Sequence, residues 1–232
     1  MKTLGIIGGM SPESTITYYS EINRLVNQAL GANYSAPIVM VSVEFEEIVQ
    51  CQKSGDWDKA GEILAAAARK LARIGADGIV LATNTMHKVA APIMQAVNIP
   101  FLHILDATAD AIKAKGLTQV ALLGTRFTMQ DHFYRAGLAE RSITALVPDD
   151  DTQAEIHRII FDELCVGKFN PTAKRFYLHT INELARQGAE GVILGCTEIG
   201  LLIRQTDSAL PFFDTAQLHS RMAADFILDS NK

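Results

Sequence analysis

Short apolar runs alternate with longer amphipathic segments along the chain. The runs are β-branched or leucine-rich and continuously apolar, which is typical of parallel strands covered on both faces. They are Leu4–Ile7, Ile38–Val43, Gly78–Ala82, Phe101–Ile104, Val120–Leu123, Gly191–Leu194 and Leu210–Phe213. The amphipathic pattern predicts helices over Pro12–Leu30, Asp58–Ile74, Asp106–Lys115, Thr152–Cys165, Thr172–Gln187 and Thr215–Leu228. Repeated alternation of strand and helix predicts an α/β fold with parallel sheets flanked by helices.

The second half of the chain repeats the first. The segment Leu71–Thr83 aligns without a gap on Leu184–Cys196, and about half of the aligned residues are identical. Two further pairs of segments match in the same order: Gly5–Gly9 with Val120–Gly124, and Ile99–Phe101 with Leu210–Phe212. Convergence on the same helix–glycine–strand chemistry would be the alternative explanation, but three ordered matches favour an internal repeat.

The repeat predicts two similar, pseudo-symmetric domains. We place the first at residues 1–104, completed by the C-terminal helix 215–232, and the second at 105–214. In open α/β sheets the ligand binds at the carboxyl ends of the strands, and clefts between domains are favoured ligand sites. Thr83 and Cys196 follow equivalent strands. We therefore expect them to face each other across an active site in the cleft between the domains.

Cys196 is the strongest candidate for chemistry. It follows an apolar strand and precedes a predicted helix, so backbone N–H groups and the helix dipole could stabilise a thiolate that acts as nucleophile or base. The alternative is a buried structural cysteine, since free cysteine packs as a small hydrophobe. That alternative fits Cys51 and Cys165 better.

Polar loops follow two strands of the first half. Thr83, Asn84 and Thr85 offer hydroxyl and amide groups to an anion, and either threonine could also cap a helix, a role that is compatible with binding. Met10 and Ser11 lie in a glycine-rich turn whose backbone donors suit a small anionic group. That turn lacks the G-x-G-x-x-G spacing of dinucleotide-binding folds.

Composition narrows the function classes. The chain of 232 residues has a net charge of −5, which argues against a nucleic-acid or anionic-membrane partner. The three cysteines form no CxxC pair and the histidines show no metal-ligand spacing, so neither a disulfide framework nor a metal site is predicted. No apolar stretch approaches the length that spans a bilayer. We expect a cytoplasmic protein with a small-molecule substrate.

Four blocks together resemble the aspartate/glutamate racemase family. They are Gly8-Gly9-Met10-Ser11, Thr83-Asn84-Thr85-Met86-His87, Gly124-Thr125 and Gly195-Cys196-Thr197-Glu198. The likeness runs from Thr3 to the segment 214–216. Glu198 stands where the glutamate racemase branch usually carries histidine, which points to the aspartate racemase branch.

The resemblance implies a cofactor-independent enzyme, commonly a homodimer, in which two cysteines flank the substrate α-carbon. Thr83 occupies the place of the first cysteine, as in the L-aspartate/glutamate-specific branch. The resemblance thus implies Cys196 as the base for the L-enantiomer and Thr83 as the proton donor on the other face. It also implies substrate contacts from the loop residues and two more distant side chains: Met10, Ser11, Gln52, Asn84, Thr85, Thr125, Lys168, Thr197 and Glu198.

Two alternatives stay open. One is a related enzyme with another substrate, either an amino-acid racemase of broader specificity or a maleate-type isomerase. The other is a small-anion binding protein in which Thr83 marks lost catalysis. Lys168 could also be an ordinary surface lysine at the end of a helix.

Overall fold

The structure, a computed structural model, describes residues 1–229 and contains two four-stranded parallel sheets. Each sheet lies in its own compact unit. The first unit comprises Met1–Ile104 and the residues from His219 onward, and the second comprises Leu105–Leu218. Positions 230–232 of the predicted C-terminal helix lie outside the described residues. No helix within residues 1–229 has both the length and the apolar composition to cross a bilayer.

The first unit has the strand order β2-β1-β3-β4. Its strands are β1 (Leu4–Gly8), β2 (Ile38–Ser42), β3 (Gly78–Leu81) and β4 (Phe101–Leu102). Its helices are α1 (Pro12–Leu30), α2 (Phe45–Ser54), α3 (Trp57–Arg73) and α4 (Ala90–Gln95), with a 3₁₀ helix at Thr85–Val89. The last helix of the described chain, α11 (Thr215–Leu228), begins in the second unit and continues in the first.

The second unit repeats this arrangement with the strand order β6-β5-β7-β8. Its strands are β5 (Gln119–Gly124), β6 (Thr144–Leu146), β7 (Val192–Gly195) and β8 (Phe212–Asp214). Its helices are α5 (Ile104–Ala114), α6 (Arg126–Gln130), α7 (His132–Ala139), α8 (Asp150–Asp162), α9 (Pro171–Arg186) and α10 (Ile199–Leu202). Short 3₁₀ helices cover Leu164–Val166 and Gln205–Asp207. The predicted α/β fold with two similar parallel sheets is confirmed.

Both faces of the second sheet are buried. Along β5, Ala121 and Leu123 pack into one apolar cluster. Val120 and Leu122 pack into the other. This two-residue alternation follows from the pleat of a strand, which points successive side chains to opposite faces. Continuous apolar runs are therefore what a central strand of this kind requires, and each fully buried aliphatic side chain contributes about 1.5–3 kcal/mol.

Strand register defines which positions of the two halves correspond. Ile7 lies beside Leu81 in the first sheet. Leu123 lies beside Leu194 in the second. Because Leu81 and Leu194 match in the repeat, Ile7 corresponds to Leu123. The predicted match of Gly5–Gly9 with Val120–Gly124 pairs Ile7 with Leu122 and is therefore shifted by one residue. A short apolar run carries no marker that distinguishes a one-residue shift.

The fourth strand is shorter than predicted. β4 ends at Leu102, and Ile104 already begins α5 rather than ending the strand. Two buried histidines explain this end, because the Leu102 carbonyl bonds to His219 Nε2 at 2.8 Å and the Ile104 N–H donates to His87 Nε2 at 3.3 Å. The two histidine side chains thus form hydrogen bonds with backbone groups that, in a longer β4, would bond to a neighbouring strand.

Several short elements were not predicted. The helix α2 buries only Ile48 and Cys51, so its apolar pattern is too sparse to indicate a helix. Its start is stabilised by the Glu44 carboxylate, which accepts the N–H groups of Glu46 and Glu47. The strand β6 has only three residues, all exposed or half-buried, and leaves no pattern to find. Such edge elements depend on their neighbours for stability.

Candidate active site

In the first unit, the turn after β1 is held tightly. Gly9 has φ +94°, and a side chain there would place its Cβ 2.3 Å from the Val43 carbonyl oxygen. The Gly9 N–H donates to Thr15 Oγ1 at 2.8 Å. The Ser11 hydroxyl caps α1 by accepting the Ser14 N–H. Met10 and Ser11, both predicted to contact substrate, are almost completely buried in this turn.

Thr83 lies two residues beyond the end of β3 and is partly buried. The two carbonyls around it are each bonded by a side chain. Ser14 Oγ donates to the Ala82 carbonyl at 2.7 Å, and His87 Nδ1 lies 2.7 Å from the Thr83 carbonyl. The Thr83 N–H also donates to the Leu81 carbonyl at 2.8 Å. The backbone that carries the Thr83 hydroxyl is therefore fixed on both sides.

The other predicted residues of the first unit lie close to this loop. Asn84 and Thr85 follow Thr83 directly and are buried. Gln52, on α2, reaches the same loop because its Nε2 lies 3.1 Å from the Met86 sulfur. The first unit thus brings the predicted Gln52 to the segment that carries Thr83.

In the second unit, Cys196 follows β7 directly and is partly buried. Its Sγ lies 2.9 Å from Glu198 Oε2, so the thiol donates a hydrogen bond to that carboxylate. The Cys165 thiol donates to Oε1 of the same carboxylate at 3.8 Å. Glu198 is only 4% exposed. One buried carboxylate therefore accepts from both thiols.

This environment acts on the ionisation of Cys196. Burial, then the negative charge of Glu198 and the proximity of Cys165, raise the pKa of Cys196 well above its ordinary value. The expectation that a helix dipole lowers this pKa is wrong, because α10 begins only at Ile199 and has four residues. The thiol is therefore a weak acid whose conjugate thiolate is a strong base.

Two residues near Cys196 were not predicted to belong to the site: Cys165, which was interpreted as a structural cysteine, and Tyr177. Cys165 lies in the short 3₁₀ helix after α8, and Tyr177 lies on α9 in the apolar cluster against which both cysteines pack. Burial, followed by the charges of Cys196, Cys165, Glu198 and Glu163, raises the pKa of Tyr177 well above its ordinary value. A tyrosine and a cysteine on apolar helix faces give no signal in sequence that separates them from ordinary core residues.

The remaining predicted residues of the second unit differ in exposure. Thr197 is buried between Cys196 and Glu198. Thr125 follows β5 and caps α6, since its Oγ1 accepts the Thr128 N–H. Lys168 is exposed, three residues after Cys165, and its N–H donates to the Glu163 carbonyl. Within residues 1–229, no group of three or more His, Cys, Asp or Glu side chains is arranged to hold a metal ion.

Comparisons with known proteins agree with this fold. The family model described as Asp/Glu/Hydantoin racemase matches residues 7–223. A broad-specificity amino-acid racemase of Bacillus subtilis (strain 168) is 25% identical over 215 residues, which cover 92% of each chain.

Two crystal structures are similar over nearly the whole chain. A candidate Asp/Glu racemase from Yersinia pestis is 48% identical with a TM-score of 0.93, covering 99% of this chain and 100% of that one. An aspartate racemase homologue from Pyrococcus horikoshii OT3 is 36% identical with a TM-score of 0.88 over the same shares. The chain therefore belongs to the Asp/Glu/hydantoin racemase family and is an isomerase that racemises amino acids.

Proposed function

We propose that this protein is a cofactor-independent racemase of L-aspartate, L-glutamate or both. Cys196 removes the α-proton of the L-enantiomer, and Thr83 returns a proton to the opposite face. The observation that carries the proposal is the Cys196 thiol on the buried Glu198 carboxylate at the end of β7. Thr83 stands after the equivalent strand β3 of the first unit.

The raised pKa of Cys196 suits its role. The α-proton of an amino acid is held far more tightly than a thiol proton, so a strongly basic thiolate improves the driving force of proton transfer. The same raised pKa makes the thiolate scarce at neutral pH, so activity depends on removing the thiol proton first. Glu198 Oε2, 2.9 Å from the sulfur, is placed to accept that proton. Glu198 thus has two opposing effects on Cys196. Its negative charge disfavours the thiolate, and its Oε2 atom accepts the proton that the thiol loses.

Thr83 makes the two halves chemically unequal. A threonine hydroxyl is several pKa units less acidic than a thiol, so its alkoxide is scarcely available as a base. Donating a proton to a carbanion is much easier for it, and solvent then restores the hydroxyl proton. Because the L- and D-enantiomers have equal free energy in solution, kcat/KM must be equal in the two directions. We therefore expect a low kcat together with a low KM for the D-enantiomer.

Acidic substrates are favoured by the likeness to the two solved structures named for aspartate or glutamate racemases and by the polar loops after β1 and β3. The Bacillus subtilis relative is named for broad specificity, so neutral amino acids belong in the test.

The test is solvent-deuterium exchange. Each enantiomer of aspartate, glutamate and several neutral amino acids, together with maleate, is incubated in D₂O. Loss of the α-proton is followed by NMR, and inversion is followed by chiral chromatography. We expect exchange and inversion with acidic L-substrates. Cys196→Ala should abolish both, whereas the matched control Cys51→Ala, a buried cysteine of the first unit, should retain them.

Three outcomes would contradict the proposal. Normal exchange of the L-α-proton by the Cys196→Ala variant would remove Cys196 as the base. Turnover of neutral amino acids or of maleate in preference to aspartate and glutamate would assign a different substrate. Stabilisation of the protein by acidic amino acids without any exchange would indicate a binding protein.

A further inference from the structure

His87 bonds to the backbone of the residue proposed as proton donor. Its Nδ1 lies 2.7 Å from the Thr83 carbonyl oxygen. Its Nε2 lies 3.3 Å from the Ile104 nitrogen. His87 is only 3% exposed. Its two bonds join the loop after β3 to Ile104, the last residue of the first unit before the chain enters the second.

The two partners fix which ring nitrogen carries the hydrogen. A carbonyl oxygen can only accept, so Nδ1 must donate to Thr83. The backbone N–H of Ile104 can only donate, so Nε2 must accept. Both bonds therefore require the same neutral tautomer, and protonation of Nε2 would break the bond to Ile104.

The surroundings of His87 keep this tautomer in place. The rings of His103 and His219 lie 4.7 Å and 5.6 Å from the His87 ring. His219 is held in turn by Tyr18, whose hydroxyl lies 2.8 Å from its Nδ1. Burial, and then the neighbouring His103 and His219, lower the pKa of His87 well below its ordinary value. The ring is thus neutral and sterically confined at physiological pH.

We propose that His87 is a positioning residue, which through its Nδ1–H bond to the Thr83 carbonyl aims the Thr83 hydroxyl at the face of the carbanion opposite Cys196. This inference rests on the proposed function. The bond from His87 matters because β3 ends at Leu81, so the Thr83 carbonyl lies beyond the strand pairing of the sheet. Without His87 the peptide between Thr83 and Asn84 can rotate, and the hydroxyl moves with it.

The experiment compares two substitutions that each keep one bond. In His87→Asn the side-chain amide nitrogen takes the place of Nδ1 and can still donate to Thr83. In His87→Gln the amide takes the place of Nε2, so it can accept from Ile104 but no longer reaches Thr83. His219→Gln is the control, because His219 is equally buried in the same cluster but bonds to Tyr18 and Leu102 instead of Thr83.

The readout is the ratio of inversion to exchange for an acidic L-substrate in D₂O. Exchange with retention needs only Cys196, whereas inversion also needs Thr83. A variant that merely folds less well loses both in proportion, so the ratio is independent of the folded fraction. Misplacement of a reacting group by about 1 Å can cost about 100-fold in rate. We expect His87→Gln to lower the ratio by about 10- to 100-fold.

The expected pattern is a low ratio for His87→Gln and ratios close to wild type for His87→Asn and the His219→Gln control. An unchanged ratio in His87→Gln would overturn the inference while leaving the proposed function intact. So would an equal fall in His87→Gln and His219→Gln, since that would reflect general damage to the cluster. If the wild-type protein exchanges no α-proton from any acidic amino acid, the proposed function fails and the inference falls with it.

Discussion

Replacing Gly9 with alanine tests how closely the turn after β1 is held against the end of β2. The added Cβ would lie 2.3 Å from the Val43 carbonyl oxygen and 2.7 Å from Ser42 Oγ. The first of these atoms belongs to the backbone, so the contact cannot be relieved by rotating a side chain. Gly55 is the matched control, since it also has positive φ, at +76°, but an added Cβ there has no atom within 4 Å.

The expected loss of unfolding free energy in Gly9→Ala has two parts. Positive φ costs a residue with a side chain about 1–2 kcal/mol, and this part is common to Gly9→Ala and Gly55→Ala. The steric overlap adds about 1–3 kcal/mol, as for other overpacked sites, and applies to Gly9 alone. Replacing glycine with alanine also restricts the unfolded chain, which stabilises the folded protein. This gain in stability is the same for both variants and cancels when they are compared. Gly9→Ala should therefore lower the free energy of unfolding by about 1–3 kcal/mol more than Gly55→Ala.

Urea denaturation followed by fluorescence measures this difference. The single tryptophan of the chain, Trp57, lies on α3 of the first unit and reports on that unit. Both glycines belong to the same unit, so one probe serves both variants. Equal losses of stability in Gly9→Ala and Gly55→Ala would refute the reasoning, because they would mean that the turn moves away from Val43 at no cost.

Two further substitutions test the charges and bonds around the proposed site. Glu198→Gln removes a negative charge that raises the pKa of Cys196 and also the carboxylate proposed to accept the thiol proton, so α-proton exchange should reach a lower maximal rate but should begin at lower pH than in the wild type. A pH profile of exchange that stays in place or moves upward would contradict this. Ser14→Ala removes the 2.7 Å bond to the buried Ala82 carbonyl and should cost about 1–3 kcal/mol in unfolding free energy. It is measured by Trp57 fluorescence in urea, and a loss under about 0.5 kcal/mol would indicate that the bond is dispensable.

Much of the fold could be predicted because it depends on patterns that the sequence repeats. Apolar runs identified seven of the eight strands found within residues 1–229, and both α1 and α11 have the predicted bounds. The internal repeat related Thr83 to Cys196 because the strands β3 and β7 before them carry nearly the same residues. A strand buried on both faces leaves a strong signal, and the residue after it is then easily located.

The immediate environment of Cys196 could not be predicted in the same way. Glu198 is two residues from Cys196, but its bond to Cys165 joins positions 33 residues apart in sequence. The contact depends on how α8 ends and where the 3₁₀ helix at Leu164–Val166 turns the chain. No local pattern encodes that geometry. Burial is the largest cause of the raised pKa of Cys196, followed by the charge of Glu198 and the proximity of Cys165. The sequence led to the opposite expectation because it indicated only the helix that follows Cys196.

The two places where the chain passes between units affect the order in which it can fold during synthesis. The second unit is one continuous segment, whereas the first needs the residues from His219 onward. In the first unit, Phe226 of α11 packs against Gly78 at the start of β3, and the Lys2 N–H donates to the Ile227 carbonyl at 3.0 Å. A chain emerging from the ribosome can therefore complete the second unit before the first, and the β3 surface under α11 stays uncovered until α11 itself has been synthesised.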